Sequence, residues 1–171
     1  MRCSILIKWL FVSAFALPVV AQVQQTQRFE ANVVRGGHPF EVASLQERGL
    51  LLHRVTWNAV GNEYEVIKLD TTFKQIWSGY IPLNPAFSIS HKKSYKSKLY
   101  ILSHSRNFRD FNIIEIDDET GKYAQWDLQN YIPFVPSEFE VTDRAVIIGG
   151  YYNYTPIVVL FDFETLMIRI L

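Results

Sequence analysis

From about residue 38 onward, apolar and polar residues alternate with a period of two, in runs of five to nine bounded by turn-forming residues. No stretch keeps the 3.6-residue rhythm of an amphipathic helix. The pattern predicts strands at about 39–43, 49–56, 63–70 and 73–81, then at 86–90, 98–104, 111–117 and 122–128. A last set falls at 138–142, 144–150, 156–162 and 165–171. A further strand is expected within 28–36, where Phe29, Ala31 and Val33 alternate with polar neighbours. Turn chemistry separates the runs: Val60-Gly61-Asn62, Glu119-Thr120-Gly121 and Tyr152-Asn153.

The twelve strands fall into three units, about 38–81, 86–128 and 138–171. Each carries a Phe-x-Val/Ile phrase: Phe40-Glu41-Val42, Phe87-Ser88-Ile89 and Phe139-Glu140-Val141. In each, the third strand ends on an aspartate, Asp70, Asp117 or Asp162, at intervals of 47 and 45 residues. Four strands repeating on that spacing predict an all-β, β-propeller-like chain of three four-stranded antiparallel blades. Propellers close with about 4–8 blades, so three make an incomplete ring. The chain stops on the apolar run Leu166 to Leu171. The expectation is an N-terminal portion of a longer propeller. A ring closed by homo-oligomerisation and an open β-meander are the alternatives. An open edge and an apolar flank would make the isolated chain poorly soluble.

Residues 1–21 have the form of a secretory signal peptide. Arg2 and Lys8 precede a mostly apolar stretch, Trp9 to Val20, and Val19-Val20-Ala21 offers a small-residue cleavage site. Residues 22–36 would form a lead-in, and residues 37–171 the partial propeller. The apolar stretch is short for a membrane anchor, so no span is expected after cleavage. Export is therefore expected, to a periplasmic, outer-surface or extracellular location. The single cysteine, Cys3, lies in the leader, which leaves no disulfide and no thiolate metal site. Two of the 17 basic residues leave with the leader, so 15 face 17 acidic ones and no basic excess points to nucleic acid.

The stretch Ile113-Ile114-Glu115-Ile116-Asp117-Asp118-Glu119-Thr120-Gly121-Lys122, followed by Trp126, resembles the blade signature of quinoprotein-like propeller repeats. Unit one carries a degraded copy, Leu69-Asp70-Thr71-Thr72-Phe73-Lys74 then Trp77, with Phe73 near the glycine position. Unit three keeps Asp162, Glu164 and Thr165 but has neither the glycine nor the Trp. The resemblance implies a propeller in which the aspartate accepts hydrogen bonds from the hairpin and the Trp covers the sheet between blades. It implies nothing about a cofactor; the quinone-holding residues of that superfamily's dehydrogenases have no counterparts here, and no cofactor is expected.

In the resembled fold, ligands bind where the loops between second and third strands gather with the inter-blade links. Those loops carry Trp57, Arg106, Arg109, Tyr152 and Tyr154 here, which makes them the candidate binding residues for a protein or glycan partner. Alternatively, the aromatics cover blade edges while Asn and Gly serve the turns. His38, His53, His91 and His104 show no metal-ligand spacing, and structural roles are expected for them. The run His91 to Lys98 reads as a solvated basic link after the first strand of unit two. Asp117, Asp118 and Glu119 are expected to splay into water, and no hydrolase, zinc-protease or phosphate-loop motif occurs. The expected function is an exported binding module of unknown ligand and without catalytic residues. The rivals are a glycosidase- or lyase-type propeller enzyme whose catalytic groups lie on blades absent from this chain, and a structural envelope protein.

Overall fold

The computed structural model describes residues 27–31, 38–57, 61–129 and 132–171. The described residues form three four-stranded antiparallel sheets, each a simple meander. The first contains β1 (Glu41–Ser44), β2 (Leu50–Trp57), β3 (Asn62–Leu69) and β4 (Gln75–Leu83). The second contains β5 (Phe87–Tyr95), β6 (Lys98–Ser105), β7 (Asp110–Asp117) and β8 (Tyr123–Gln129). The third contains β9 (Val135–Val141), β10 (Ala145–Tyr152), β11 (Thr155–Asp162) and β12 (Ile168–Ile170). A single 3₁₀ turn, Gln46–Arg48, interrupts the link from β1 to β2.

The sheets stack as blades because the two central strands of the middle sheet, β6 and β7, are apolar on both sides. Leu99, Ile101, Ile114 and Ile116 pack against Leu51, Tyr64, Val66 and Ile81 of the first sheet. The alternate residues Leu102, Phe111, Ile113 and Leu128 pack against the third sheet, on Phe139, Val146, Ile148, Val159 and Phe161. Burial of each such side chain contributes about 1.5–3 kcal/mol. The flanking sheets bury mainly the face turned to the middle one. On the far face of the third sheet Ile147 and Leu160 are only half-buried, and Val158 and Leu171 are exposed.

Backbones of different sheets come nearest between the first strands β5 and β9. Ion pairs run across this inner row: Lys92 Nζ to Glu41 Oε2 at 2.5 Å and Lys93 Nζ to Glu140 Oε1 at 2.7 Å. The result is an arc of three propeller-like blades, not closed into a ring or barrel.

The repeating aspartates do the same work in every unit. Asp70 Oδ1 accepts hydrogen bonds from the Thr72 amide at 2.8 Å and hydroxyl at 2.7 Å, and from the Lys74 amide at 3.0 Å. Asp117 Oδ1 accepts from the Glu119 amide (3.1 Å) and from the amide and hydroxyl of Thr120 (both 2.8 Å). Asp162 Oδ1 accepts from the amides of Glu164 (3.0 Å) and Thr165 (2.9 Å). Each turn then needs one left-handed residue, supplied by Phe73 (φ 59°), Gly121 (φ 71°) and Leu166 (φ 55°). At Gly121 a Cβ would also meet the Trp77 ring at 3.0 Å, so glycine lets the first two sheets close up there.

The residues after Asp117 and Asp162 reach towards the preceding sheet. Phe163 stacks near Tyr100 and Trp126, with ring centroids 5.8 and 5.5 Å away. Its counterpart Asp118 is fully buried, contrary to the expectation that this carboxylate meets water. Arg48 Nη1 lies 2.8 Å from Asp118 Oδ2, and the Trp77 indole donates to the Asp118 carbonyl at 3.0 Å. Buried Lys68 also feels Asp118. Desolvation nonetheless dominates and lowers the lysine pKa, with the Asp118 charge opposing it. Thr71, the same position in unit one, is exposed.

Other expectations are corrected. His91 to Tyr95 belong to β5 and Lys98 opens β6, so the basic run is strand and tight turn, not a solvated link. Lys92, Lys93, Lys96 and Lys98 meet Glu41, Glu140, Asp143 and Glu115 respectively. Residues 27–31 form no strand, and 32–37 lie outside the described residues. The leader and residues 22–26 lie outside them too. The Phe-x-Val/Ile phrases are not equivalent in space. Phe87 pairs with Ser105 at one end of its sheet, whereas Phe139 pairs with Ile148 near the middle of its own.

Candidate functional site

The hairpins β2–β3, β6–β7 and β10–β11 all turn at the same end of the stacked sheets, together with the links β4–β5 and β8–β9. This is the end predicted to bind. Trp57 closes β2, but its side chain, like residues 58–60, lies outside what is described.

In the second hairpin the Asn107 carboxamide oxygen accepts from the Ser105 hydroxyl at 2.5 Å and the Arg109 amide at 3.0 Å. Phe108, at φ 56°, folds back onto His104 with ring centroids 4.5 Å apart. Asn107 therefore serves the turn, while Arg106 and Arg109 project into solvent. The third hairpin turns through two consecutive left-handed residues, Asn153 (φ 46°) and Tyr154 (φ 64°), the geometry of a type I′ turn. Tyr154 is 99% exposed, and Tyr151 and Tyr152 are exposed beside it. A bulky residue held left-handed with its ring entirely in solvent pays strain for no internal contact. No hydrogen bond, ion pair or ring contact joins the arginine side chains of the second hairpin to the tyrosines of the third among the described residues.

A recess at this end was not foreseen. A cleft of about 480 Å³ opens between the first and second sheets. Val55 and Tyr64 form one wall and Phe87 and Ile89 the other, with Leu83 at the end of β4 and Pro85 of the link to β5 between them. Its polar groups are His38, Glu41, Asn62, Ser88 and Lys92. The Lys92 hydrogen bond holds the Glu41 carboxyl below its usual range, with smaller help from the charges of Lys92, His53 and His38. Behind this wall His53 stacks on Tyr64, ring centroids 5.4 Å apart. Burial, with the Lys92 charge second, lowers the His53 pKa from 6.5 to about 4, so the imidazole is neutral. Burial likewise raises the Tyr64 pKa, with the Glu41 charge adding to it. Neither Tyr64 Oη nor His53 Nδ1 has a hydrogen-bond partner among the described residues.

A single sequence did carry a trace of this site: Glu41 falls in one Phe-led phrase and Lys92 shortly after the next. The pairing across the unit boundary was invisible while 91–98 read as solvated. At the opposite end a recess of about 400 Å³ lies between the 3₁₀ turn and the β5–β6 turn, but its cations Arg48 and Lys96 are engaged by Asp118 and Asp143. Among the described residues no group of three His, Cys, Asp or Glu could hold a metal ion. No helix among them is long and apolar enough to cross a membrane. No protein-family model, curated protein or solved structure matches the chain.

Proposed function

We propose that the chain is an exported, propeller-type binding module, belonging to a repeat architecture of the quinoprotein-like kind, that recognises a protein or glycan through the hairpin end of its sheets. The observation that carries this reading is the third hairpin, where Tyr154 stands wholly in solvent on a rigid two-residue turn with Tyr151 and Tyr152 beside it. Tyrosine supplies contact area at little entropic cost, which suits it to recognition and gives it no stabilising role when exposed. Arg106 and Arg109 add exposed guanidinium groups at the same end of the neighbouring sheet.

The test is capture on an array of immobilised glycans and on a panel of extracellular proteins, with the wild type and Tyr154→Ala compared. The expected result is capture that weakens about tenfold or more in the variant, as for an interface hot spot, with an unchanged melting temperature. A variant that melts earlier and captures as well as the wild type would show that the tyrosine is structural.

A further inference from the structure

We propose that the cleft between the first two sheets is a subsite for one neutral saccharide unit. The inference rests on the binding-module reading and names the chemistry of its ligand.

Charge is the first ground. Among the described lining residues there is one carboxylate, Glu41, and one ammonium, Lys92, and they are paired with each other at 2.5 Å. These two charges cancel, so the pair gives no electrostatic reward to a phosphate, a uronate or a polyamine. Hydrogen-bonding capacity is the second. Lys92 engages only Glu41 Oε2, leaving Oε1 to accept. The Asn62 carboxamide and Ser88 hydroxyl offer both donors and acceptors, and neither side chain has a protein partner among the described residues. The Tyr64 hydroxyl is a further polar group without a partner among the described residues. A buried hydroxyl left so costs about 1–3 kcal/mol, which a ligand hydroxyl reaching it would recover.

The apolar surface is the third ground. Phe87, Pro85, Leu83 and Val55 give the cleft flat hydrocarbon walls beside those polar groups. A ligand that is uncharged, rich in hydroxyls and apolar on its ring faces satisfies all three conditions together. A pyranose has these properties. The volume lies within the range of small-ligand sites, about 300–1,000 Å³.

The test is titration of the purified full chain with glucose, galactose, mannose, fucose and N-acetylglucosamine, followed by amide chemical shifts, with glucuronic acid and glucosamine as charged controls. At least one neutral sugar should produce saturable shifts at Asn62, Ser88 and Lys92 in the millimolar range or below. Ser88→Trp, which places an indole in the cleft from an exposed strand position, should weaken that sugar at least tenfold while leaving Tyr154-dependent capture unchanged. Three results would overturn the proposal: no neutral sugar saturates, a charged control binds tenfold tighter than its neutral parent, or the shifts map to residues 151–155 and ignore Ser88→Trp. The last two leave the binding-module reading standing. That reading fails separately, when neither array nor protein panel captures the wild type.

Discussion

The imidazole of His53 is wedged between the Tyr64 ring and the inner-row pair Glu41–Lys92, and only 2% of the residue is exposed. Its folded pKa of about 4 lies below the ordinary 6.5, so the unfolded chain binds more protons throughout that interval. Stability contributed by the neutral ring is therefore complete above pH 6.5 and is lost as pH falls towards 4. One proton gives a limiting slope of about 1.4 kcal/mol per pH unit. Urea denaturation across this range should show that slope in the wild type and a much flatter one in His53→Phe, which keeps the ring stack without a titrating group. Equal slopes would mean that His53 is protonated in the folded protein. The turn aspartates act lower on the scale. Hydrogen bonds led by the Thr72 and Thr120 hydroxyls and the Thr165 amide depress the pKa of Asp70, Asp117 and Asp162. Their contribution is present above the unfolded carboxylate pKa and is lost as pH falls through the folded values.

At the scale of the strand, what a residue is worth depends on whether another sheet covers it. Ile113 of β7 and Val158 of β11 occupy corresponding rungs, each four residues before its unit's aspartate. Ile113 is wholly buried between the second and third sheets, whereas Val158 is 36% exposed on the far side of the third. Ile113→Ala should cost about 2–5 kcal/mol by chemical denaturation, and Val158→Ala under about 1 kcal/mol. Similar losses at the two sites would mean that the third sheet is covered on both faces, or that the second is not. Strand positions were legible because this alternation and the aspartate turns are local. All three turns keep the aspartate oxygen as acceptor of two hairpin amides even where Phe73 and Leu166 stand at the left-handed position that Gly121 fills in unit two, since that oxygen can hold a left-handed residue against its modest strain. The length of β5 was not legible. His91-Lys92-Lys93 is polar in sequence, yet it pairs with Leu102, Ile101 and Tyr100 of β6, and the carboxylates of the neighbouring inner strands engage its two lysines.

For the molecule as a whole, the architecture could be read from one sequence and the cleft could not. The three-unit repeat needed only the aspartate spacing, whereas the cleft is assembled from residues 38–41, 55, 62–64 and 83–92, brought together by the stacking of two sheets. The candidate residues read from the hairpins do gather at one end, yet the recess lies between two units and the loop reading looked within each. The Phe-led phrases show the limit from the other side, since three similar strings occupy different rungs.

Both the core and the cleft depend on a middle sheet enclosed by its two neighbours, and hydrogen exchange resolved to individual strands tests that enclosure most directly. Amides of β6 (Lys98–Ser105) and β7 (Asp110–Asp117) should exchange slowest, with β4 and β12 opening first and the third sheet fading before the second. Uniform protection over all twelve strands, or slowest exchange in β11 rather than β7, would contradict the stacked arrangement.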